Sequence, residues 1–301
     1  MKGLELAREY YHTYGKKLIS DYASDPDSVC AGLVGEGSEC LGFDDETSKD
    51  HDFGGICIFV PDETTGEELK RLSDAYEELV KKTVEKTGKS IYGDGRRGVF
   101  RVSQFYENLI GTDPSAITDV DLIFIPDYCI ANATSGEIFC EGDGTFVRIR
   151  DKLKVMPRDV KLKKLAARMG YMAQYGQYNY MRMYNRGEFC ACLVAKAEFM
   201  KQAAWACYLL EGKYSPYYKW MFRGLDGLGD FAKGIKERLN ILNTLEGYEC
   251  FCEIEEIASC FTEELISQGI SDEKDTYLER QGLSLMRHIE DNTMKGMHLL
   301  M

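Results

Sequence analysis

Residues 35 to 54, GEGSECLGFDDETSKDHDFG, gather glycines, a serine and closely spaced acids in one short stretch. Gly35, Gly37 and Ser38 make a glycine-rich turn, and eleven residues separate Ser38 from the triplet Asp50-His51-Asp52, which runs into the apolar stretch FGGICIFVP. In an extended strand alternate side chains share a face, so Asp50 and Asp52 project together, ~6.6 Å apart, with His51 opposite. Carboxylates so placed repel and raise each other's pKa, and a divalent cation removes the repulsion. Magnesium, or manganese in its place, takes one or two carboxylates together with phosphate oxygens. Backbone N–H groups of a glycine turn and the Ser38 hydroxyl suit those phosphates. The pattern predicts a nucleotide–metal site, with Gly37 and Ser38 on phosphate and Asp50 and Asp52 on metal. Phosphoryl transfer needs little more than such positioning and charge neutralisation. The plainer alternative is a solvated strand edge beside an ordinary turn. His51 is expected to pack or hydrogen-bond rather than to act in catalysis.

The elements that must position these residues are legible around them. A helix is predicted over about 3–23 from Leu4, Ala7, Tyr11, Tyr14 and Leu18. SVCAGLVG before the turn and the run ending at Pro61 after the acids read as buried strands. A charged helix follows over about 66–87; VFRV near 99 and DLIFI at 121–125 are strand candidates, and GEIFCEGDGTFVRI reads as a hairpin. After about residue 155 strands vanish. Pro157 starts a helix, Leu162, Leu165, Met169, Met172 and Ala173 step at helical spacing, and 189–211 is apolar on most sides, hence central. Phe231, Ile235, Leu239 and Leu242, then Phe251, Ile254, Ile257, Ala258, Phe261 and Leu265, continue the period. The fold class is α+β: a mixed sheet with helices over 1–155, then an all-α bundle over 156–301.

With 37 basic and 50 acidic residues the net charge is −13, which disfavours bulk nucleic acid and anionic membrane as partners. No run of about 18 apolar residues offers a membrane span, and the N-terminus has no signal-peptide core. The eleven cysteines sit mostly in apolar stretches, and the pairs Cys190/Cys192 and Cys250/Cys252 lack zinc-knuckle spacing. They are read as structural thiols in a reducing cytoplasm.

Gly37-Ser38 followed by Asp50-His51-Asp52 resembles the signature of the DNA polymerase beta-like nucleotidyltransferase superfamily, a Gly-Ser turn and then Asp-x-Asp or Asp-x-Glu. More closely, the stretch is similar to the opening of a bacterial family of nucleotidyltransferase-like proteins known only as a domain of unknown function. The likeness continues at IPDYCIANATSGEIFCEGDG, RIRDKLKVMPRDVKLKKLAARM and YSPYYKWMFRGLDGL, and so spans about residues 30–228. Glu39 stands where the family often has Asp, Cys40 follows it, and Phe53 replaces a frequent Trp. The resemblance implies a nucleotidyltransferase-type sheet, phosphates on Gly37 and Ser38, and magnesium on Asp50 and Asp52. It also implies a third carboxylate on a later strand. VFRV has none; Asp94, Glu107, Asp121 and Glu141 are candidates, with Asp121 preferred because Asp119-Val120-Asp121 leads into DLIFI.

In the helical half, Tyr171, Tyr175, Tyr178 and Arg182 share one predicted face, readable as a substrate wall or as a domain interface. Pro216 in YSPYYKWMFR suits a first helical turn and puts Lys219 and Arg223 one turn apart. Related helical domains donate a basic residue to the triphosphate, and Lys219 is the choice here, with Arg223 beside it. His12, His288 and His298 are read as structural, and the apolar residues at the end of the chain as docking on the bundle or on a partner. Taken together, the expectation is a magnesium-dependent transferase moving a nucleoside monophosphate from a nucleoside triphosphate to a small-molecule or protein acceptor. A degenerate nucleotide-binding sensor or protein-interaction module, and a metal-dependent phosphohydrolase, remain open beside it.

Overall fold

The computed structural model describes residues 2–49, 55–83 and 96–301. It divides into two compact units, Met1–Ile117 with Tyr128–Lys154, and Thr118–Asp127 with Val155–Met301. Residues 118–127, which the sequence assigns to the sheet half, cluster with the helices.

The first unit opens on α1 (Gly3–Tyr10), a π-helical turn over Tyr11–Gly15 and α2 (Lys16–Tyr22). β1 (Cys30–Leu33) and β2 (Cys57–Val60) are buried at every position, which is why they read as continuous apolar runs rather than alternations. α3 (Gly66–Thr83) lies on the crossover to β3 (Gly98–Arg101), which pairs parallel to β2, and a parallel pair cannot be joined by a tight turn. α4 (Val102–Ile110) follows directly. β4 (Glu137–Cys140) closes a four-stranded sheet of order β3-β2-β1-β4, with β1 antiparallel to both β2 and β4. Ala31, Leu33, Ile58 and Val60 pack with Ala7, Tyr11, Leu18, Leu72 and Tyr76. Phe59 points the other way and stacks on Phe146 at 4.0 Å, with Phe105 at 4.8 Å.

Two predicted strands are helices. DLIFI belongs to α5 (Asp119–Phe124), because Thr118 and Asp121 close a reciprocal capping box: Thr118 N donates to Asp121 Oδ2 at 2.9 Å and Asp121 N donates to Thr118 Oγ1 at 3.3 Å. α6 (Asp127–Thr134) comes next. The expected hairpin is β4 alone; Asp143 Oδ1 accepts from Thr145 N at 2.7 Å and opens α7 (Thr145–Lys154) instead of a return strand.

The second unit is helical: α8 (Arg158–Met172), a π-helix over Ala173–Tyr180, α9 (Met181–Tyr184), α10 (Phe189–Leu210), α11 (Tyr218–Gly224), α12 (Asp230–Thr244), α13 (Gly247–Ser267), α14 (Leu278–Arg287) and α15 (Asn292–Lys295). Leu162, Leu165, Met169 and Met172 are buried as their spacing predicts, and so are Leu239, Leu242, Ile254, Phe261 and Leu265. α10 is central only along its second half. Its first half exposes Phe189, Leu193 and Val194, against the expectation of burial throughout. The apolar end of the chain docks on the bundle: Lys163 Nζ donates to the carbonyls of His298, Leu299 and Met301, and Tyr171 Oη to that of Leu300 at 2.9 Å. All eleven cysteines are free, and burial pushes the Cys40 thiol up to about 12, which keeps it protonated. Among the described residues no helix is long and apolar enough to cross a membrane.

Candidate functional site

The glycine turn leaves β1 at the buried Val34 and is held through its carbonyl oxygens. Gly35 O accepts from Ser135 Oγ at 2.8 Å, Ser38 O from Phe43 N at 2.8 Å, and Cys40 O from Gly136 N at 2.9 Å. Among the described residues, the N–H groups of Gly37 and Ser38 and the Ser38 hydroxyl make no hydrogen bond. Donors left unused in a turn tied by its acceptors are what an anion needs. Gly37 has φ +129°, and a Cβ there would lie 2.7 Å from Glu39 Oε2, so both backbone conformation and space exclude a side chain.

Glu39 itself is buried and accepts from Arg97 Nη2 at 2.5 Å, while Arg97 Nη1 donates to Arg96 O at 2.9 Å. Glu36 pairs with Arg96 at 3.3 Å. The acids of the turn are therefore neutralised by the two arginines that precede β3. Glu39 has the reach to make that pair with Arg97.

Asp50 and Asp52, with His51, Phe53 and Asp94, lie outside the described residues. The elements on either side of the acids converge with the turn. Gly32 pairs with Cys57 in the antiparallel β1–β2 ladder, so the exit of β1 and the entry to β2 share one end of the sheet. Ile56, at that entry, is fixed by Tyr76 Oη, which accepts from its N–H at 2.9 Å and donates to its carbonyl at 2.7 Å. Asp44, in the same acidic stretch, serves the fold: its Oδ2 accepts from Gly3 N at 2.9 Å and anchors α1.

Among the described strands after β2, the one carboxylate is Glu137 at the start of β4, and it is engaged by Arg8, whose Nε donates to Glu137 Oε1 at 2.9 Å. β3, beside β2, carries Gly98, Val99, Phe100 and Arg101, and Arg101 donates to the carbonyls of Asp62 and Thr64. Glu107 on α4 and Glu141 after β4 are exposed. Asp121 stands at the start of a helix in the second unit, its carboxylate held by Thr118, whose hydroxyl and N–H lower its pKa. The strand that would have aimed it at a metal is absent.

In the second unit, Lys219 and Arg223 are exposed one turn apart on α11, with their charges 5.0 and 5.7 Å from the Trp220 ring. The helix begins at Tyr218 with Tyr217 as its cap, two residues later than Pro216 at the first helical position would put it. Tyr171 and Tyr175 stack at 6.0 Å, and Arg182 lies 4.6 Å over Tyr178. Gln174, Tyr178, Tyr277, Glu279 and His298 line a cavity of about 610 Å³ within this unit.

Sequence reasoning missed a buried charged cluster. Asp127, 2 % exposed, accepts from Lys164 Nζ and from Trp205 Nε1, the latter at 2.6 Å. Lys164 also donates to Ile125 O at 3.3 Å and lies 5.7 Å from the Tyr214 ring. Arg168, one turn along α8, is 4.0 Å from the Trp205 ring. The one signal available was VKLKKLAARM, where lysines interrupt an otherwise apolar helical face. Their partners are far off in the chain.

Residues 123–221 match the family model DUF4037, described as a domain of unknown function. Among solved structures the chain is similar to a nucleotidyltransferase-like protein from Exiguobacterium sibiricum 255-15 at 12 % identity, covering 94 % of this chain and 81 % of that one, with a TM-score of 0.36. A likeness at that score carries no argument about mechanism. No curated protein matches the sequence.

Proposed function

We propose that the chain is a nucleotidyltransferase that binds a nucleoside triphosphate with magnesium in its first unit and passes the nucleoside monophosphate to a small-molecule or protein acceptor. The observation that carries the reading is the turn at Gly37-Ser38, whose free donors sit at the end of the sheet where the chain enters β2. In the sequence two residues stand between Asp52 and Gly55, and Cys57 opens β2. Asp50 and Asp52 would hold the magnesium, which supplies charge neutralisation at the phosphates. Gly37 and Ser38 would hold phosphate oxygens through N–H and hydroxyl donors. The Glu36–Arg96 and Glu39–Arg97 pairs support this, since they keep the acids of the turn from repelling an anion. The acidic overall charge favours a small acceptor over nucleic acid, and the cavity walled by Tyr178 and Tyr277 has the size of a small-molecule site.

The test is calorimetric titration of ATP, GTP, CTP and UTP with and without magnesium, on the full chain and on Asp52→Asn. Magnesium-dependent binding lost in the variant is the expected result; binding unaffected by both magnesium and the substitution would overturn the metal assignment. One observation favours a second reading, a nucleotide sensor without turnover: β3 has no carboxylate and that of Asp121 is spent on a helix cap. Under that reading the triphosphate binds but no acceptor yields pyrophosphate.

A further inference from the structure

Arginine heads that are withdrawn from solvent in this chain are given partners. Arg97 pairs with Glu39, and Arg150 donates to the carbonyls of Thr134, Ser135 and Gly136. Arg168 is the exception. Its Nε, like that of Arg97, is buried without a hydrogen bond, but among the described residues no carboxylate or carbonyl receives its terminal N–H groups either, and the side chain is half-buried. It is held by rings instead, 4.0 Å from the centre of Trp205 and 5.2 Å from that of Tyr171. The nearby carboxylates are already engaged: Asp127 by Lys164 and Trp205, Glu198 by Lys201 at 2.7 Å. The two carboxylates that act on Arg168, those of Asp127 and Glu198, are thus each occupied by a lysine. Burial pushes the Arg168 guanidinium down to about 10. Tyr214, whose ring borders Lys164, has a buried hydroxyl that is also without a partner.

Burying a charge is costly unless something pairs with it, and a guanidinium presents a planar fork of donors that matches two oxygens of one anion. Stacking on an aromatic ring occupies the face of the guanidinium and leaves that fork, which lies in its plane, unused. We propose that Arg168, held between Trp205 and Tyr171, is the receptor for an oxoanion group, phosphate or carboxylate, on a small ligand of the helical unit. The site involves neither the glycine turn nor Asp50 and Asp52, so it stands or falls apart from the nucleotidyltransferase reading.

Trp205 lies against the guanidinium and is its natural reporter. In full-length Trp220→Phe protein Trp205 is the sole tryptophan, and its emission is followed without magnesium while inorganic pyrophosphate, or citrate, is added against potassium chloride of equal ionic strength. A saturable change with either anion is expected, weakened about tenfold or more in Arg168→Lys, which keeps the charge but loses the fork, and abolished in Arg168→Met. A response to pyrophosphate alone identifies a phosphate ligand, and a response to citrate alone a carboxylate. The proposal is overturned if neither anion exceeds the chloride control, or if Arg168→Met responds like its parent. Should Arg168→Met not fold, the parent titration and Arg168→Lys still decide, since a response unchanged in the lysine variant also overturns it.

Discussion

Removing the Asp127 carboxylate should cost the helical unit much of its stability. In Asp127→Ala the ammonium of Lys164 stays buried, with the Ile125 carbonyl at 3.3 Å and the face of the Tyr214 ring as its remaining company. Trp205 Nε1 loses its acceptor as well. Breaking a buried pair from one side costs about 3–5 kcal/mol, because the stranded charge keeps its desolvation penalty after its partner is gone. An orphaned indole N–H adds about 1 kcal/mol, not strictly additively. Replacing Lys164 by Met in the same background removes the stranded charge, so the double variant should recover about 2–4 kcal/mol relative to the sum of the single changes. Urea unfolding followed by tryptophan emission is the assay. The chain has two tryptophans, Trp205 and Trp220, and both belong to the second unit, so the signal reads that unit alone. A cost below about 1 kcal/mol for Asp127→Ala, or simple additivity in the double variant, would refute the argument that this pair is a coupled buried interaction.

Gly37→Ala combines a positive φ with a Cβ 2.7 Å from Glu39 Oε2 and should destabilise the first unit by about 1–3 kcal/mol, measured as a lowered midpoint in circular dichroism. Asp272 has its pKa pushed down to about 2 by the hydroxyl of Ser284 and then by Arg287. Its folded value lies below the ordinary one, so its contribution is present above about pH 4 and is lost as pH falls through about 2. Asp272→Asn should flatten that part of the acid limb of the stability curve. Lys163 is pushed down to about 8 by burial and by Arg168, which means that the charged form is disfavoured in the folded state. Stability relative to Lys163→Met should therefore rise between pH 8 and the ordinary lysine value of 10.5. The same variant should speed amide exchange in residues 298–301, where Lys163 holds the carbonyls of His298, Leu299 and Met301.

The helices of the second half were legible in the sequence because burial on one face imposes a 3.6-residue period that survives without knowledge of partners. β1 and β2 were legible for a different reason: apolar runs bounded by glycine and proline have few other solutions. The turn at Gly37 was legible too, since a glycine at positive φ is a local requirement. DLIFI was misread because a five-residue apolar run has no period of its own, while the local Thr-x-x-Asp capping box of Thr118 and Asp121, the signal passed over, starts α5 and removes Asp121 from any strand. Asp127 stands 37 residues before its partner Lys164 and 78 before its partner Trp205, distances over which no sequence period runs. Local chemistry can be read from the chain itself. Which buried charge meets which partner, and that Arg168 meets rings rather than a carboxylate among the described residues, is decided only when distant segments pack against each other.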